Sequence, residues 1–160
     1  MLAGGAAVAL LGITGSACSS PPAPPAVDEL ESQLELARHD SELATAAAAA
    51  ADKPVSAALA EVASERTQHA QALATEIARL AVNNPTSSST ATTSPTTTTS
   101  AAAASPPSLA DVINSLRGSA ASASHLAMTS SGYRAGLLGS IAAACTASYS
   151  VALVFGGSAS

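Results

Sequence analysis

The sequence predicts an all-α fold, built as two helical hairpins in one four-helix bundle. Three observations carry this. Aromatic residues are nearly absent, with Phe155, Tyr133 and Tyr149 the complete set. A core must then come from Leu, Ile, Val and Ala, which suits close-packed helices and not a β-sandwich. Four segments show apolar residues at 3–4 spacing. The stretch between the second and third is rich in Ser, Thr, Ala and Pro and has no such period.

The first helix is expected from Asp28 to Ala51. Asp28 and Glu31 have capping-box spacing directly after a Pro-rich run. Leu30, Leu34, Ala37, Ser41 and Ala44 share a face. Asp52-Lys53-Pro54 breaks the run, and Pro54 suits the opening turn of the next helix. That second helix is expected from Pro54 to Ala81. Its stripe is Val55, Leu59, Val62, Ala70, Leu73, Ile77 and Leu80, and Asn83-Asn84-Pro85 stops it.

Residues 83–107 read as a disordered linker, uncharged and without a face to bury. Its hydroxyls between residues 86 and 105 are candidate sites for O-glycans in an exported chain. The third helix starts at Ser108, which forms a second capping box with Asp111. Leu109, Val112, Ile113, Leu116, Ala120, Ala123 and Ala127 share its face. Thr129-Ser130-Ser131-Gly132 is the turn. The fourth helix is expected from Tyr133 to Phe155, with Leu137, Ile141, Ala144, Ser148, Val151 and Phe155 inward, and Gly156-Gly157 ends it. The two hairpins, 28–82 and 108–156, form one domain. The linker is long enough to run the length of such a bundle, which favours a crossover between helices 2 and 3.

The N-terminus points to export. Residues 1–17 are uncharged and mostly apolar, as the hydrophobic part of a signal peptide is. Ser16-Ala17-Cys18 resembles the bacterial lipobox, in which the Cys receives a diacylglyceryl group. Gly15 stands where that motif usually has an aliphatic residue, and no Lys or Arg precedes the apolar run. The resemblance implies a lipid on Cys18, with residues 18–27 a Pro-rich tether, and a protein held on the extracytoplasmic face of the cell membrane. No basic stripe exists, so nucleic acid is not an expected partner. Cys145 is the one cysteine besides Cys18, too few for an internal disulfide or a Cys-pair metal motif, and is expected to pack as a small apolar residue.

The segment from Glu65 to Glu76 resembles helix 2 of alanine-rich, ferritin-like proteins of actinobacteria. Arg66, His69, Ala70, Leu73 and Glu76 match an R-x-x-H-A-x-x-L-x-x-E pattern. The resemblance covers roughly residues 28–155 and implies a ferritin-like bundle. Di-iron members place Glu on two helices and Glu-x-x-His on two others. Here Arg66 stands three residues before His69, where a ligand Glu would be, and the last two helices offer only Asp111. No metal or other cofactor is therefore expected, and no catalytic motif occurs.

Arg66 falls inside the stripe of the second helix, with His69 on its edge; Asp40 and Glu76 flank the inward faces. A buried guanidinium needs a partner. These four residues form either a small polar pocket for a ligand or a structural network. His39 and His125 lie off the apolar faces. Glu29, Glu31, Glu35 and Glu42 form a wet face with Arg38 and Lys53. The expected function is binding or scaffolding at the cell envelope, without enzyme activity. Two alternatives stand beside it. One is an integral membrane protein held by the uncharged helix 133–155; the other is a ferritin-like metal enzyme.

Overall fold

A computed structural model describes residues 27–83 and 105–154. The expected signal peptide, Cys18, most of the expected tether and linker, and Phe155 lie outside these residues. The described chain is all-helical and packs as a helical bundle, with α1 at Val27–Ala50, α2 at Lys53–Asn83, α3 at Leu109–Thr129 and α4 at Gly132–Ala147. A π-helical turn, Ser148–Ala152, continues α4.

The helix ends follow local chemistry. Ser108 caps α3 reciprocally: its hydroxyl accepts from the Asp111 amide at 3.2 Å, and its amide donates to the Asp111 carboxylate at 2.8 Å. Those bonds hold the Asp111 carboxyl below its ordinary range. The expected box at Asp28 is corrected. The helix already begins at Val27, so Asp28 lies in the first turn, where its charge suits the helix dipole. Ser130 and Ser131 alone link α3 to α4, because Gly132 opens α4 with φ +57°. A side chain at that φ would be strained, and Gly avoids the conflict.

Hydrogen bonds fix the directions of the helices. Ser41 donates to the Ala63 carbonyl at 2.9 Å and Ser56 to the Ala48 carbonyl at 2.8 Å, so α1 and α2 are antiparallel. Gln33 donates to Ser122 at 2.7 Å, while Ser119 donates to Asp40 at 2.7 Å, so α1 and α3 are antiparallel too. The two-residue turn sets α4 against α3 in the opposite sense. It follows that α2 and α3 run parallel, and the connection from Asn83 to Leu109 joins opposite ends of the bundle.

The core contains Leu30, Leu34, Leu59, Leu73, Val112, Leu116, Leu138 and Ile141, with Ala filling the close approaches. The face of α4 matches the one expected at Ile141 and Ser148 and differs elsewhere. Leu138, Ile141, Ala142, Cys145 and Ser148 are buried, Leu137 and Ala144 are half-buried, and Val151 is 51% exposed. Two causes combine. This helix is apolar all round, so its sequence period does not choose a face. The π turn then adds a residue to the repeat, and the next buried position after Ser148 is Leu153.

Candidate functional site

Position 66 falls on the inward side of α2 because it continues the stripe of Leu59, Val62 and Leu73. Position 40 does the same on α1, between Ala37 and Ala44. The two side chains therefore meet in the interior. Arg66 Nη2 lies 2.9 Å from Asp40 Oδ2, and both residues are almost fully buried. Two hydroxyls from α3 complete the carboxylate: Ser115 donates to Oδ1 at 2.5 Å and Ser119 to Oδ2 at 2.7 Å. Burial strengthens each of these bonds and makes the loss of any one costly.

Arg66 Nη1 lies 3.1 Å from His69 Nδ1. Arginine can only donate, so Nδ1 accepts and the ring is neutral, with its proton on Nε2. Burial lowers the His69 pKa, the Arg66 charge lowers it further, and Glu65 works weakly the other way. Ser148 donates to Glu65 at 3.1 Å, tying the end of α4 to α2. Cys145 is buried close by, and burial pushes its thiol up to about 11. It is thus a protonated, unreactive thiol at neutral pH.

Three of the four residues singled out from sequence come together: Asp40, Arg66 and His69. Glu76 does not join them. It lies ten residues further along α2, about 15 Å away along the axis. There it accepts two bonds from Arg79, at 2.7 and 2.6 Å, which hold its carboxyl below the usual range. Sequence reasoning missed Ser115, Ser119 and Glu65, and placed Ser148 inward without its partner. A signal existed in α3, where Ser115, Ser119 and Ser122 repeat at the 4 and 3 spacing of an inward face.

The Asp40 carboxylate is saturated by protein donors. His69 has spent one nitrogen on Arg66, and Cys145 is protonated. The cluster links α1, α2 and α3 by hydrogen bonds and places no free base beside a nucleophile. Nor does the donor set fit a di-metal centre. Among the described residues no three His, Cys, Asp or Glu side chains gather to hold an ion. Asp111, the single carboxylate of α3 and α4, is committed to its cap. His39 and His125 are exposed. No protein-family model matches this chain, and neither a curated protein nor a solved structure matches it.

Proposed function

We propose that the chain is a lipid-anchored module of the cell envelope: an acylated Cys18, a short Pro-rich tether, and a metal-free ferritin-like bundle with a binding or scaffolding role. The observation that carries the reading is the buried Asp40–Arg66 pair. In a ferritin-like bundle the interior carboxylates would surround metal cations. Here a guanidinium supplies the positive charge, with Asp40 and His69 against it and Ser115 and Ser119 bonded to the Asp40 carboxylate. The parallel course of α2 and α3 supports the ferritin-like topology, because that architecture requires one long crossover. The lipobox residues support the anchor.

Mass spectrometry of the mature protein from a bacterial host tests the reading. A diacylglyceryl mass on Cys18, lost in Cys18→Ala together with membrane association, is the expected result. An unmodified Cys18 in a membrane-free protein would remove the anchor. Stoichiometric iron or manganese in the purified chain would remove the metal-free bundle and restore an enzyme.

A second reading has its own observation. Residues 132–152 form a helix long and apolar enough to cross a bilayer, and 28% of its most apolar window is buried. In that reading α4 spans the membrane. Alkaline carbonate extraction of Cys18→Ala separates the two: release fits the bundle, and retention fits the span.

A further inference from the structure

Among the described residues, the three most exposed large apolar side chains are Val82 at 81%, Met128 at 76% and Tyr133 at 66%. They come from three different helices, yet they lie at one end of the bundle. Met128 is six residues beyond Ser122, and Val27 is six residues before Ser122's partner Gln33. The antiparallel helices therefore bring Met128 level with Val27. Asp40 pairs with Arg66, and thirteen residues outward from each lie Val27 and Arg79. Val82 sits three residues further, about 5 Å beyond that level. Ser148 pairs with Glu65, and fifteen residues outward lie Tyr133 and Leu80. All three side chains thus surround the end where α1 begins.

That end is also the one nearest Cys18. Eight residues separate Cys18 from Val27, a span of at most roughly 30 Å even when fully extended. We propose that this end of the bundle is a membrane-contact tip, seating Val82, Met128 and Tyr133 in the interfacial layer of the bilayer that holds Cys18. The inference rests on the lipid-anchor reading above. An amphipathic Tyr suits that layer. Asp28 and Glu29 stand at this end too. They oppose an anionic surface, so the surface that fits is zwitterionic.

The test uses the lipidated full-length protein on phosphatidylcholine vesicles. An environment-sensitive fluorophore is attached in turn at Val82→Cys, Met128→Cys and Val151→Cys. Cys145 is buried and does not compete for the label. The expected result is a blue shift and protection from an aqueous quencher at positions 82 and 128, with position 151, at the far end, unchanged. Aqueous emission at all three positions, with the lipid confirmed on Cys18 by mass, would leave the anchor standing and overturn the tip. Absence of that lipid would end the anchor reading and the tip with it. A shift at position 151 as well would mean that α4 lies in the bilayer, which overturns the tip. Shifts that need no vesicles and grow with protein concentration would show a second copy on this surface, and would overturn it equally.

Discussion

The α1–α2 hairpin and the α3–α4 hairpin contribute different chemistry to one core. Asp40, Arg66 and Glu76, the buried charged residues of the described chain, all belong to the first. So do the ion pairs Arg38–Glu35, Arg66–Asp40 and Arg79–Glu76. The second hairpin carries only Asp111, Arg117 and Arg134 as charged residues, and Arg117 lies over the Tyr149 ring at 5.3 Å. What it brings to the interface is hydroxyls. Ser115 and Ser119 meet Asp40, Ser122 meets Gln33, and Ser148 meets Glu65. The difference shows how an apolar hairpin can still dock in one register. Apolar burial holds the hairpins together but tolerates sliding. Four hydrogen bonds to a charged or amide partner do not, because a slipped register leaves buried polar groups unpaired.

The largest expected effect comes from splitting the buried pair. Asp40→Leu leaves the Arg66 guanidinium without its counter-charge and should cost about 3–5 kcal/mol in denaturant unfolding. Arg66→Leu should cost less, because Asp40 keeps both of its serine donors. The double variant, with Leu at both positions, should recover part of that loss and not all of it, because Ser115, Ser119 and His69 lose their partners. A double variant as unstable as Asp40→Leu would mean that the pair is not a closed unit.

The next effect compares two hydroxyls of α3. Ser119→Ala removes a bond to a buried carboxylate and should cost about 1.5–3 kcal/mol, whereas Ser122→Ala removes a neutral bond and should cost about 0.5–1.5 kcal/mol. Equal losses would argue that the charge on the first hairpin does not set the interface strength.

The smallest effect is the pH response of His69. Its folded pKa lies below the ordinary 6.5, so the unfolded chain binds a proton first as pH falls. The stability tied to the neutral ring is present in full above about pH 6.5, declines below it, and levels off under the lowered folded value. His69→Gln, whose side-chain carbonyl can still accept from Arg66, should remove this slope between the two values. A variant with an unchanged slope would place the titration elsewhere.

Much of the fold was legible. The break at Asp52-Lys53-Pro54, the Ser108–Asp111 cap and the stripe of α2 are local patterns, and the helices begin and end within a residue or two of those marks. Arg66 was legible as a problem, since a charge inside an apolar stripe demands a partner. Its solution was only half legible. Asp40 and His69 could be named from helical position, but Glu76 looked equally suitable and instead pairs with Arg79, three residues away on its own helix.

The sequence by itself therefore determined where the helices lie, that one face of α2 carries a cation, and that the N-terminus resembles a lipobox. These depend on neighbours within one or two turns. Only the tertiary structure decided which side of α4 faces inward, that Leu153 follows Ser148 through a π turn, and that Ser115 and Ser119 complete Asp40 from 75 and 79 residues away. An evenly apolar helix has no period to read, and a hydroxyl finds its acceptor only when the packing of three helices brings them within bonding distance.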